Sequence, residues 1–202
     1  NFADDEDYIA RFKREIALAR SITHPNVYRI YDIGTSGNVQ FISMEYIDGT
    51  ELKKLITADR PSIEEGLELV RQICLALRQA HLKGIIHRDL KPHNIMVENG
   101  TGRCVVMDFG IAIGDQSSSI TQAGAFVGTP EYISPVQAGS RPLDHTTDIY
   151  SLGVIMYELF TGRLPFGPGQ PVAVAMQHIK ETPLAPVRHN PEIGRRLESV
   201  VL

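Results

Sequence analysis

The chain has 202 residues, 43% of them hydrophobic and 22% charged, and a formal net charge of -4. That make-up describes one sizeable globular domain with a real core, and it excludes a strongly basic nucleic-acid binder or a surface drawn to anionic membranes. Cys74 and Cys104 lack metal-ligand spacing and read as two reduced core thiols of a reducing compartment.

In chain order, Ile9, Phe12, Ile16 and Ala19 recur at helical spacing between Asp4 and Ser21, which predicts an amphipathic helix ending before His24-Pro25. The acidic opening NFADDED does not read as a signal peptide. VYRIYDIG and VQFISMEYI then read as a hairpin turning at Thr35-Ser36-Gly37-Asn38. Ser62 and Glu65 form a capping-box pattern, after which Ile63, Leu67, Val70, Cys74 and Leu77 stripe a long core helix that Gly84 stops. Short apolar runs IIH, IMV and CVVMDF follow, the last two joined by ENGTGR, so polar residues between them sit on loops at strand ends. GDQSSSITQAGA, from Gly114 to Ala125, reads as a mobile loop. A second long helix is expected from about Asp144 to Thr161, stopped by Gly162. Its apolar stretch from Ile149 to Phe160 falls short of the ~20 residues that span a bilayer and reads as a buried helix.

Three signals carry chemistry, in a fixed order: HRDLKPHN at 87–94, DFG at 108–110 and GTPEYISP at 128–135. Together they resemble the eukaryotic-type (Hanks-type) serine/threonine protein kinases, and the wording of GTPEYISPVQAGS and DHTTDIYSLGVIMYELFTGRLPF is most similar to the bacterial branch. The resemblance covers essentially the whole chain. It implies an α+β, protein-kinase-like fold in which residues 48–202 form a mainly helical C-terminal lobe. Residues 1–47 would be a remnant N-terminal lobe and hinge, one helix plus a two-stranded hairpin, with apolar surface exposed.

The resemblance also assigns roles. Phosphoryl transfer needs positioning and charge neutralisation more than covalent chemistry. Asp89 matches the catalytic aspartate that orients the substrate hydroxyl and takes its proton, and Lys91 the lysine that contacts the transferred phosphate. Asn94 and Asp108 match the pair that hold Mg²⁺, for which hard oxygen ligands are suited. Met44 stands at the gatekeeper position, with the backbone of Glu45 and Ile47 facing adenine, and Glu15 matches the helix glutamate of the nucleotide site. Thr121 is the expected phosphorylation site, with Arg88 placed to grip its phosphate. Thr129 matches a threonine that bonds the catalytic aspartate and lysine. Asp148 would tie the catalytic loop to the second long helix, while His87 and Phe109 pack beneath the site and His93 faces solvent. Each assignment has a plainer alternative: a capping carboxylate, a solvated lysine, an exposed helical glutamate, an edge strand, an unmodified loop threonine.

The implied cofactors are ATP and Mg²⁺, and the implied partner is a protein bearing a serine or threonine hydroxyl. A homodimer for autophosphorylation, a cytoplasmic location and a parent anchored through some other region also follow from the resemblance. Neither nucleic acid nor membrane is an expected partner of this segment. Two departures stand out. There is no GxGxxG and no strand lysine to pair with Glu15, so the chain reads as a fragment, inactive alone, that binds ATP feebly or not at all. Val136 stands where the family has the glutamate of a structural ion pair. The alternative function is a pseudokinase or docking module that keeps the fold without transfer.

Overall fold

The computed structural model describes residues 16–37, 39–109, 119–120, 126–127 and 129–202. A helix, α1, covers 16–20 and buries Ile16 and Ala19. β1 (Ile30–Ser36) and β2 (Val39–Met44) form the expected antiparallel hairpin, with Ser36 opposite Val39. Val27 and Tyr28, expected to begin that hairpin, pair elsewhere: Tyr28 N–H donates to the Val106 carbonyl at 3.1 Å, and Val106 N–H to the Asn26 carbonyl at 2.9 Å. The Asn26 side chain fixes this switch by donating to the Cys104 carbonyl and to Gln72 Oε1, both at 2.7 Å.

The second sheet has the order β3 (Gly49–Glu51), β4 (Ile95–Glu98), β5 (Cys104–Val106), all antiparallel. β3 has no strand-like sequence; the edge of β4 recruits it. β6 (Ser119–Ile120) and β7 (Phe126–Val127) make a third, two-stranded pairing. α2 (Leu52–Ala58) and α3 (Ile63–His81) pack on the second sheet, α5 (Thr146–Thr161) packs on α3 and α7 (Arg195–Val201), and α4 (Pro135–Ala138) packs on α6 (Pro171–Lys180). Among the described residues no helix is long and apolar enough to cross a membrane.

Local signals explain the ends of the two long helices. The Ser62–Glu65 capping box is formed in both directions, satisfying amides that a helix start leaves orphaned. At the other end Gly84, at φ 71°, turns the chain so that Ile85 N–H reaches the Ala80 carbonyl at 3.0 Å. α5 stops at Gly162, also left-handed at φ 72°, whose N–H donates to the Glu158 carbonyl at 2.7 Å.

One expectation about α3 is corrected. Its buried row is Gly66, Leu69, Val70, Ile73, Ala76, Leu77 and Ala80, whereas Leu67 and Cys74 are exposed. Two apolar rows compete on this helix, and the one centred on Ile73 and Ala76 is buried where α3 packs against β5 and α5. Of the two thiols only Cys104 is a core group, and burial pushes it up to about 12. α5 is buried nearly all round, and Ile155 and Leu159 on it are fully enclosed.

Candidate active site

The segment joining α3 to β4 carries His87 to Asn94 and is fastened from below by Asp148. That carboxylate, fully buried in the first turn of α5, accepts the N–H of His87 at 2.9 Å and of Arg88 at 3.0 Å. His81 Nε2 lies 2.7 Å from the same Oδ2. Three partners satisfy a carboxylate that would otherwise be costly to bury. Asp148 thus joins loop and helix, and is more than a helix-start acid.

Two residues of the site have a strained backbone, and Asp148 holds one of them, Arg88. Arg88 and Asp108 adopt φ of 68° and 60°, a left-handed conformation that costs non-glycine residues roughly 1 kcal/mol or more. Arg88 is pinned on both sides, because Gln137 Nε2 donates to its carbonyl at 2.6 Å while Asp148 takes its N–H. The Arg88 Nε is buried and has no hydrogen-bond partner among the described residues. His87 is fully buried, with Nε2 2.8 Å from the Met107 carbonyl and its ring stacked obliquely on Phe109 at 4.8 Å between centroids. His93 is exposed.

Above this floor the polar side chains converge. Lys91 Nζ donates to Asp89 Oδ2 at 2.7 Å and to Thr129 Oγ1 at 3.2 Å. Asn94 Nδ2 donates to the Asp89 carbonyl at 2.9 Å and lies 3.4 Å from Oδ2. Because both nearest groups are acceptors, the amide of Asn94 is oriented with its Oδ1 left over as an acceptor or cation-ligating oxygen. Asp108 follows β5 by two residues, and its left-handed backbone sets the carboxylate beside this group. Desolvation pushes that carboxyl up; His87 and Lys91 pull it back while the Asp89 charge adds to the rise. Tyr28 belongs to the same neighbourhood: its buried phenol is raised by desolvation first and by the Asp108 charge second.

The structure therefore brings Asp89, Lys91, Asn94 and Asp108 into one cluster, with Thr129 at its edge. Met44 ends β2, and Glu45 and Ile47 lie on the connection from it to β3, whose partner β4 begins right after Asn94. Met44 is 46% exposed and Ile47 is buried. The Glu45 N–H is used by the Arg29 carbonyl at 2.8 Å, and its carboxylate by Arg103 at 2.7 Å. Val136 is half-buried on α4. Glu15 and Thr121 fall outside the described residues.

Two contacts beside the site are not anticipated from the sequence. Gln137 holds Arg88; the signal was present in S-x-x-Q, because Ser134 and Gln137 form a capping box that seats the helix end under the loop. Buried Glu158 and Tyr132 and half-buried Lys53 form a polar group whose members are too far apart in sequence to pair by pattern.

Comparisons with known proteins agree with this geometry. The protein kinase domain family matches residues 2–198. Serine/threonine-protein kinase PrkC of Bacillus subtilis is 41% identical over 204 residues, covering 100% of this chain and 31% of PrkC. Serine/threonine-protein kinase PknB of Mycolicibacterium smegmatis is 40% identical over 209 residues, covering 100% of this chain and 33% of PknB. The chain thus spans about a third of the length of the curated relatives it matches. The crystal structure of the PknI kinase domain of Mycobacterium tuberculosis superposes with a TM-score of 0.71 at 27% identity, covering 99% of this chain and 71% of that one. A point mutant of the same PknI domain gives a TM-score of 0.72 at 26% identity, covering 99% and 70%. A loop pinned by Asp148, a left-handed Asp108 and a family match over nearly every residue place this chain in the protein kinase family.

Proposed function

We propose that the protein transfers the γ-phosphoryl group of ATP to serine or threonine hydroxyls of proteins. The observation that carries this reading is the Asp89–Lys91–Thr129 contact set, with Asn94 bonded to the Asp89 carbonyl. Protein kinases as a family use ATP and Mg²⁺.

The donor set suits a hard divalent cation. Asn94 offers Oδ1, and Asp108 offers a carboxylate whose raised proton affinity, caused by burial and a neighbouring anion, a cation would reverse. These two residues would hold Mg²⁺, leaving most of its shell to phosphate oxygens and water. When bound, the ion would neutralise charge on the phosphates. The chain's own residues do the rest. Asp89 orients the substrate hydroxyl and receives its proton as the new O–P bond forms and the bond to the ADP oxygen breaks. Lys91, anchored by Asp89 and Thr129, presents a fixed positive charge to the transferred group. Asn94 keeps the Asp89 backbone in register. Met44, Glu45 and Ile47 would border the adenine, and Glu15 would complete the nucleotide site.

Thr121 would receive phosphate from a second copy in a transient homodimer, and Arg88, with its buried Nε, would grip the product. The reaction would proceed on the cytoplasmic side of any membrane the parent carries. The test incubates the natural chain containing these residues with Mg-ATP and a generic protein acceptor, comparing wild type with Asp89→Asn. Phosphoserine and phosphothreonine made only by the wild type support the reading. Equal labelling by both, or none by the wild type, refutes transfer and favours a partner-binding role for the fold.

A further inference from the structure

Outside the cluster around Asp89, one buried charge is held between three elements. The Glu158 side chain on α5 is 5% exposed. Its Oε1 meets Lys53 Nζ from α2, and Tyr132 Oη donates to Oε2 at 2.6 Å, while Lys53 Nζ also lies 3.4 Å from Tyr132 Oη. A carboxylate withdrawn this far from water is tolerated only when it is paired and hydrogen-bonded. Desolvation and then the Glu158 charge push the Tyr132 phenol far up, so it stays protonated and remains a donor.

The position of Tyr132 makes this more than a core contact. Tyr132 ends the short turn Pro130–Tyr132, which starts directly after Thr129, the residue bonded to Lys91. Its carbonyl is also taken, by Ser151 Oγ at 2.8 Å. Lys53 is in the first turn of α2, immediately after β3. It makes no hydrogen bond to Asp89, Lys91, Asn94 or Asp108 among the described residues; its partners are Glu158 and Tyr132.

We propose that Lys53 is a positioning residue for the transfer reaction: by neutralising Glu158 it keeps Tyr132 seated and thereby holds Thr129 against Lys91. The proposal rests on the kinase reading above. Without the ammonium, Glu158 is left with one donor and must draw in water or a proton, and either response loosens Tyr132. Only Pro130 and Glu131 separate Tyr132 from Thr129, so the displacement passes to Lys91. A misplacement of about 1 Å near reacting groups lowers rates by up to roughly a hundredfold.

The test uses the natural chain with Lys53→Met, Lys53→Arg and Tyr132→Phe. Two quantities are read: hydrogen exchange of the amides from Thr129 to Ser134, and steady-state kinetics with Mg-ATP and a protein acceptor. Lys53→Met is expected to speed exchange in that segment and lower kcat about tenfold, with KM for ATP within about twofold of wild type. Lys53→Arg should restore both to within about threefold, because it supplies the same charge. Tyr132→Phe, which keeps the ion pair, should resemble Lys53→Met, and the double variant should be no worse than either alone. If Lys53→Met does not fold, Tyr132→Phe carries the same comparison. Unchanged exchange and kcat in Lys53→Met overturn the proposal. So does an arginine variant as impaired as the methionine one, or a loss matched by faster exchange throughout α5, which marks a purely structural role. If the wild type transfers no phosphate, the kinase reading fails, and the exchange comparison still decides whether Lys53 anchors the segment.

Discussion

The first turn of α5 and the hairpin β1–β2 treat their chemical groups in opposite ways. The Asp148 carboxylate accepts from two backbone N–H groups and lies within hydrogen-bond distance of His81, and the left-handed Arg88 is held through both its N–H and its carbonyl. The hairpin is held by its own backbone ladder and leaves Tyr31, Val39, Phe41 and Met44 about half exposed or more. The groups proposed to react all lie on the first kind of ground. A site that must place charges to within a fraction of an ångström needs an over-determined floor, whereas the hairpin's apolar faces tolerate change.

The largest break in this contrast should come from Asp148→Ala, which leaves two backbone N–H groups and His81 without their acceptor. Removing one partner from such a buried network costs roughly 3–5 kcal/mol, measured as a loss in denaturant unfolding free energy of the natural chain. A loss below about 1 kcal/mol would mean that the floor is not held this way.

Acid should weaken the packed region next. His178 on α6 is buried against Tyr150 Oη, 2.8 Å from Nδ1, and desolvation lowers it from 6.5 to about 4. Its folded value lies below its unfolded one, so the unfolded chain binds the proton first. The contribution is complete above about pH 6.5 and is lost as pH falls toward about 4. The loss amounts to about 3 kcal/mol at the acid end. His178→Gln should flatten the pH dependence of the unfolding midpoint across that window; an unchanged slope would show that other groups cause it.

Smaller effects sharpen the comparison. Gly84→Ala keeps the stop of α3 but forces a Cβ into φ 71° with open space around it, costing about 1 kcal/mol by backbone strain alone. Val39→Thr on the hairpin, at a side chain 66% exposed, should change stability by no more than about 0.5 kcal/mol. If the hairpin substitution cost more than the glycine one, the hairpin would be packed against something that holds it.

What could be read from the sequence divides along the same line. Signals that act within a few residues were legible: the Ser62–Glu65 cap, the stops at Gly84 and Gly162, the hairpin turn, and the order of HRDLKPHN and DFG. Contacts set by the approach of distant elements were not. Lys53 and Glu158 are 105 positions apart, and Gln137 and Arg88 are 49 apart, so nothing local pairs them. The face of α3 is not legible because Leu67 and Cys74 extend one apolar row while Ile73 and Ala76 extend another, and only the packing of β5 and α5 decides between them. β3 was missed because Gly49-Thr50-Glu51 becomes a strand only through its pairing with β4.

The measurement that tests the account most directly is transfer of labelled γ-phosphate from Mg-ATP by the natural chain, wild type against Asp89→Asn, with the unfolding midpoint of both recorded. The account predicts that the asparagine variant keeps its midpoint and loses transfer by about a thousandfold, the range for removing a general base. A variant that transfers at the wild-type rate, or a correctly folded wild type that transfers nothing, would contradict it.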